Sequence, residues 1–259
     1  MTQDTAFAIL KTGANVFFTG EPGAGKTHLV NRYAAWLRSL GIEPAVTAST
    51  GIAATHIGGM TIHAWSGIGI RKELAAEDFG RLLENERLVS RLSQARVLVI
   101  DEISMLDART LECADSVCRS LRRDRRPFGG LQAVFVGDFF QLPPVSNPEE
   151  EPPEFAFHSS AWMEAAPTVC YLTEQHRQDD ARYLSLLAGL RRGSITEEGR
   201  GLLRSRGADA LAGASHTRLY SHNVDVDRVN QEKLNALPGV ARAYRMDSHG
   251  SAKVVASLK

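Results

Sequence analysis

The stretch GEPGAGKT, Gly20 to Thr27, puts three glycines, a lysine and a threonine directly after the apolar run Val16-Phe17-Phe18. Such residues build a poor core and a good anion cradle. Glycines let successive backbone N–H groups close around phosphate oxygens, and a helix N-terminus behind them adds positive potential. The spacing G-x-x-x-x-G-K-[ST] is complete, so Gly20, Gly23, Ala24, Gly25, Lys26 and Thr27 are the expected phosphate site. Lys26 would reach the β- and γ-phosphates and Thr27 would ligate Mg2+.

Two further stretches carry chemistry-bearing residues at strand ends. Arg96–Ile100 runs into Asp101-Glu102. Beside a phosphate loop, Asp101 would hold the Mg2+ shell, and Glu102 would orient and deprotonate an attacking water. The plainer reading is an acidic helix cap. In GDFFQLPPV, Gly137 to Val145, Asp138 and Gln141 follow another apolar run. Open α/β sheets bind ligands at the carboxyl ends of their strands, so Gln141 is a candidate for touching the γ-phosphate or the water. Gly-Asp and Pro-Pro are also ordinary turn signals, and on the residues alone both readings stand.

Positioning these groups requires strands and helices in alternation. Short runs rich in Val, Ile and Phe recur at Asn15–Thr19, Ala45–Ala48, Val97–Ile100, Ala133–Val136, Val169–Leu172 and Arg218–Tyr220. Most lack in–out alternation, as strands buried on both faces do. Helical patterns lie between them at Thr27–Leu40, stopped by Gly41, and at Asp107–Arg123. The expected fold is a mostly parallel α/β sheet sandwiched by helices. Gly67–Gln94 reads as an insertion with helical content, Pro143–Pro153 as a proline-rich acidic loop, and Thr173–Asp180 as a domain boundary.

The chain has 259 residues, zero formal net charge, 43% hydrophobic and 23% charged residues, an ordinary globular composition. Three cysteines with no CxxC pair argue against a disulfide framework or a cysteine zinc site. No apolar run approaches the roughly 20 residues of a membrane helix, and the first residues show no secretory n-region. His28, His56, His158 and His176 have no ligand spacing, so no metal beyond Mg2+ is expected.

The segments GEPGAGKT, VTASTGIAATHIGGMTIHAW, VLVIDEISML, RRPFGGLQAVFVGDFFQLPPV and LTEQHRQDD occur in that order. Together they closely resemble the Pif (petite integration frequency) family of superfamily-one 5′-to-3′ DNA helicases, relatives of RecD. The resemblance runs from Gln3 to about Leu237. It implies ATP and Mg2+ as cofactors, single-stranded or forked DNA as partner, and action as a monomer in repair, recombination, replication or telomere maintenance. Location would be cytoplasmic in a bacterium, and nuclear or mitochondrial in a eukaryote. It implies a first RecA-like domain over 1–173, with a wedge-like insertion at about 67–94, and the incomplete start of a second over 174–259.

Roles follow residue by residue. Gln3 resembles the family's adenine-reading glutamine, Gln141 the γ-phosphate sensor, and Arg177 the arginine that reaches the γ-phosphate from the second domain. Val46–His63 resembles the first single-strand contact motif, and Leu106–Gly130 the family's signature helix. Thr47, Thr50, His63, Trp65, Phe140 and Pro144 are the candidate DNA contacts. For Trp65 a core position competes with base stacking. Of Phe139 and Phe140, one is expected to pack and one to face DNA. Arg119, Arg122, Arg123, Arg125 and Arg126 form either a DNA-facing patch or a solvated helix end.

The family's later motifs do not occur between Gly239 and Lys259. Residues 1–259 by themselves are therefore expected to bind ATP and single-stranded DNA weakly and to turn over little or no ATP. Two alternatives remain beside the helicase motor. One is a nucleotide kinase, suggested by the G-x-P-G-x-G-K form of the loop and opposed by the water-activating Glu102. The other is an ATP-dependent DNA-binding module without turnover. A guanine-nucleotide switch is disfavoured, since no N-K-x-D occurs.

Overall fold

A computed structural model describes residues 1–145, 151–176, 179–207, 217–240 and 242–244. Six parallel strands form one sheet: β1 (Val16–Gly20), β2 (Ala45–Ala48), β3 (Met60–Thr61), β4 (Val97–Asp101), β5 (Gln132–Val136) and β6 (Thr168–Leu172), in the order β3-β2-β4-β5-β1-β6. Five were expected within a residue or two. The two-residue β3 is too short to leave a pattern. Arg218–Tyr220, expected as a strand, is not one: Leu219 is exposed, and among the described residues no strand pairs with it to reward extension.

Side chains alternate across the strands, so each face has its own core. Val16, Phe18, Val97, Val99, Val134, Val136, Cys170 and Leu172 point to one face. Helices α1 (Gln3–Leu10) and α2 (Lys26–Ser39) cover it with Ala6, Leu10, Leu29, Val30, Tyr33 and Leu37. Phe17, Leu98, Ile100, Ala133 and Phe135 point to the other face. There α7 (Ala108–Arg122) lays down Leu111, Ala114, Val117, Cys118 and Leu121, and Trp162 stacks on Phe135. Both faces covered is what a parallel sheet requires.

The remaining helices are α3 (Gly51–His56), α4 (Ile62–Ser66), α5 (Ala76–Glu84), α6 (Glu86–Gln94), α8 (Ser160–Ala165), α9 (Ala181–Arg191), α10 (Glu197–Ser205) and α11 (Asn223–Asn235). The 67–94 segment is helical as expected, and α6 buries Leu88 and Leu92 in the main core. Helix ends follow local chemistry: the Asp107 carboxylate caps α7 by accepting from Thr110 N at 2.7 Å.

The chain divides into two compact units, Met1–Arg200 and Gly201–Lys259. The first runs past the boundary expected near 173, because α9 buries Leu186 within it and carries an arginine that pairs with Asp138. Among the described residues of the second unit, α11 has no buried side chain. No helix among the described residues is long and apolar enough to cross a membrane.

Candidate nucleotide site

Strands β4, β5 and β1 are neighbours, and their carboxyl ends deliver the three chemistry-bearing stretches side by side. The loop 20–25 leaves β1 and turns into α2 at Lys26. Gly25 caps that helix at φ 80°, and Gly20 takes φ 150° with Leu172 O only 2.6 Å from where a Cβ would stand. Neither position accepts a side chain without strain. Lys26 folds back onto its own loop, donating from Nζ to Gly20 O at 2.7 Å and to Glu21 O at 3.3 Å. Burial lowers its pKa, while the carboxylates of Asp138, Glu102 and Asp101 oppose that shift. Thr27 lies exposed in the first turn of α2.

Asp101 ends β4, is 7% exposed, and has its carboxyl pushed up to about 6 by burial. Its Oδ1 accepts from Glu102 N at 2.8 Å. Glu102 follows in the left-handed region, φ 52° and ψ 43°, a conformation that costs an L-residue roughly 1–2 kcal/mol. Ser49 Oγ donates to Glu102 O at 2.8 Å and pins that turn. After β5, Asp138 is fully buried, and Gln141 Nε2 donates to its Oδ2 at 3.3 Å.

Gln3, at the start of α1, reaches the same loop from the other side. Its Nε2 lies 3.1 Å from His176 Nε2 and 3.5 Å from Ala24 O, and its backbone N–H donates to Glu174 Oε2 at 3.0 Å. Gln3, Gly25, His28, Glu174 and His176 line a cavity of about 500 Å3. The strap 174–176 is tied to the loop as well, by His176 N to Gly23 O at 3.0 Å and Gln175 Nε2 to Glu21 Oε2 at 3.2 Å. Arg177 lies outside the described residues.

The DNA candidates separate cleanly. Thr47 is fully buried and donates from Oγ1 to Val99 O at 2.7 Å, so its hydroxyl is part of the sheet and not of a surface. Trp65, at 3% exposure, and Pro144 are likewise buried. The core reading holds for Trp65 because Ile62, Ile68, Leu88 and Leu92 share its cluster. Thr50 caps α3 by accepting from Ala53 N at 3.2 Å, and half-buried His63 has its pKa lowered by burial, opposed by Asp107. Phe139 packs edge-on against Phe157 and Trp162. Phe140 is 71% exposed. In the arginine run, Arg119 pairs with Asp115 and Glu164, Arg122 donates to the carbonyls of Leu92, Ala95 and Gly129, and Arg126 pairs with Asp124. Arg119 and Arg122 are committed within the protein, whereas the Arg126 side chain stays 74% exposed beside Asp124.

The oxygen donors suit Mg2+, a hard cation that takes one or two protein oxygens together with substrate phosphates. Asp101 has a buried carboxylate facing the loop's lysine electrostatically, and Thr27 has a hydroxyl at the helix start. Among the described residues, no three His, Cys, Asp or Glu side chains converge into a self-sufficient metal cage.

The family model described as PIF1-like helicase matches residues 3–198. The chain belongs to the PIF1-like helicase family. It is 45% identical over 272 aligned residues to the ATP-dependent DNA helicase Pif1 of Psychrobacter sp. (strain PRwf-1), covering 100% of this chain and 40% of that protein. The human ATP-dependent DNA helicase PIF1 is 39% identical over 245 residues, covering 93% of this chain and 37% of that protein. The crystal structure of Pif1 helicase from Candida albicans superposes with a TM-score of 0.80 at 37% identity, covering 92% of this chain and 54% of that one. The Bacteroides Pif1 helicase in complex with ADP-AlF3 and ssDNA gives 0.74 at 27% identity, covering 92% and 57%. The chain thus spans well under two thirds of the length of these PIF1-like relatives.

Two participants escape any reading of the sequence. His176 lacks ligand spacing, yet it stands against Gln3 at the loop. Arg191, in the last turn of α9, donates to Asp138 from 53 positions away, and no local pattern announces such a pair.

Proposed function

We propose that this chain carries the ATP-hydrolysing core of a 5′-to-3′ DNA helicase acting on single-stranded or forked DNA. One observation carries the reading: the phosphate loop, Asp101-Glu102 and Gln141 meet at the carboxyl ends of three adjacent strands. Family membership supports it, as do relatives named ATP-dependent DNA helicases and a Bacteroides relative solved with ADP-AlF3 and ssDNA.

The residues divide the work. Loop amides over 20–27 and the start of α2 bind the phosphates, and Lys26 exchanges its two carbonyl partners for phosphate oxygens. Thr27 and Asp101 would hold Mg2+, which neutralises phosphate charge. Glu102 accepts a proton from the attacking water, and Gln141 orients that water or the γ-phosphate. The Gln3 amide reads the N6 and N7 edge of adenine in the cavity beside Gly25. Arg177 supplies positive charge to the γ-phosphate. A single copy suffices for this set.

The test compares ATP turnover of the full-length protein with and without single-stranded DNA, for wild type and Lys26→Ala. DNA-stimulated turnover that the variant loses is the expected result. Removing the ammonium forfeits charged hydrogen bonds worth roughly 1.5–3 kcal/mol. Turnover indifferent to DNA, or intact in Lys26→Ala, overturns the proposal.

A further inference from the structure

Asp138 is 1% exposed, and three donors converge on its carboxylate. Phe140 N donates to Oδ1 at 3.1 Å, Gln141 Nε2 to Oδ2 at 3.3 Å, and Arg191 Nη1 to Oδ2 at 2.6 Å. The backbone N–H of Gln141 also donates to Asp138 O at 2.9 Å. This one acid therefore shapes the turn that carries both Phe140 and Gln141. The Arg191 guanidinium lies over the Phe140 ring, 4.3 Å from its centroid, so it grips the same turn twice.

A carboxylate this deeply enclosed needs a cation. Burial raises the Asp138 pKa, but the hydrogen bonds from Arg191, Phe140 N and Gln141, together with the Arg191 charge, outweigh it and hold the carboxyl below its ordinary value. Among the described residues Lys26 is a second cation that feels Asp138, and its Nζ is engaged with Gly20 O and Glu21 O. In the proposed reaction Lys26 turns to phosphate, while Arg191 stays bonded to Asp138 at 2.6 Å and, among the described residues, supplies its charged partner. Arg191 is itself 14% exposed at its side chain, with Nη1 given to Asp138 and its face given to Phe140.

We propose that Arg191 is a positioning residue for hydrolysis, acting through Asp138 to hold the Gly137–Gln141 turn so that Gln141 meets the reacting phosphate. This rests on the ATP-hydrolysis reading of the site. The end of α9 is well suited to deliver the arginine, since a rigid helix holds such geometry better than a loop does. Misplacement by about an ångström costs on the order of 100-fold in rate.

The experiment measures kcat and KM for ATP, with saturating single-stranded DNA, in full-length wild type, Lys26→Ala, Arg191→Ala, Arg191→Lys, Asp138→Asn and the double variant Arg191→Ala/Asp138→Asn. We expect Arg191→Ala to lose about 100-fold in kcat with KM little changed. Arg191→Lys recovers part of the loss, since it keeps the charge and loses the planar fork. The double variant is no slower than Arg191→Ala, because residues acting in series are not additive. A raised KM with unchanged kcat makes Arg191 a substrate contact and overturns the inference, as do losses that multiply in the double variant. If melting shows Arg191→Ala unfolded, Arg191→Lys and Asp138→Asn decide: both lower kcat alone, or the inference fails. Wild-type turnover abolished by Lys26→Ala but untouched in the Arg191 variants sinks this inference and spares the hydrolysis reading. A wild type without ATP turnover sinks both.

Discussion

Glu102 combines a chemical role with a strained backbone, and the two can be separated by substitution. Its left-handed conformation, φ 52° and ψ 43°, is held by Glu102 N donating to Asp101 Oδ1 and by Ser49 Oγ donating to Glu102 O, each at 2.8 Å. Glu102→Gln keeps the backbone, its strain and nearly the same shape, so stability should not move. The amide cannot take the water's proton, and loss of a general base costs about 10²–10⁴ in rate, or roughly 3–5 kcal/mol of barrier. Glu102→Gly is equally inactive, yet it releases roughly 1–2 kcal/mol of left-handed strain and returns about 0.5–1 kcal/mol as glycine's extra unfolded-state entropy. The net is a gain of about 0–1.5 kcal/mol, which raises Tm by up to roughly 3–6 °C for a domain of this size. Strain concentrated at a functional position predicts this opposition of activity and stability. The assays are turnover at saturating ATP and DNA, nucleotide affinity by titration, and thermal melting. Glu102→Gln turning over within a few-fold of wild type refutes the base assignment. Glu102→Gly melting below wild type refutes the strain argument.

Asp101 makes stability depend on pH. Burial raises its carboxyl from 3.8 to about 6, so the folded state holds the proton more tightly than the unfolded state. Its contribution is therefore greatest below about pH 4 and declines as pH rises through about 6. In nucleotide-free protein, Asp101→Asn should melt above wild type near neutral pH and lose that advantage by about pH 4. Equal melting differences at every pH would contradict the assignment. Gln3→Ala should remove roughly 1–3 kcal/mol of preference for ATP over GTP, read by competition binding, with folding intact. An unchanged preference would place adenine recognition elsewhere. Phe140→Ala should weaken single-stranded DNA binding by about 1–3 kcal/mol at fixed salt and cost the fold at most about 0.5–1 kcal/mol through its Arg191 contact, whereas Trp65→Ala should cost the fold about 3–5 kcal/mol. The reverse pattern would exchange their assignments.

By itself the sequence determined what depends on neighbouring residues. The Gly20–Thr27 loop was legible because its requirements are local: glycine where φ is positive, and a lysine and a threonine at the first turn of a helix. The strands of the sheet were legible because burial on both faces writes unbroken apolar runs, and Asp101 and Glu102 stand out where such a run ends. Runs too short or unpaired, as at β3 and Arg218–Tyr220, misled in both directions, since extension is stable only with a partner strand. Tertiary structure alone decided which aromatic is core and which is surface, because Trp65 and Phe140 look equally fit for stacking until their neighbours are known. It turned the Thr47 hydroxyl into a sheet contact and tied Arg119 and Arg122 to carboxylates and carbonyls, choices invisible to residue type. It also joined Arg191 to Asp138 and His176 to Gln3. A charge or ring nitrogen far along the chain has no periodicity to betray it, and such pairs exist only because the parallel sheet brings its carboxyl ends to one edge.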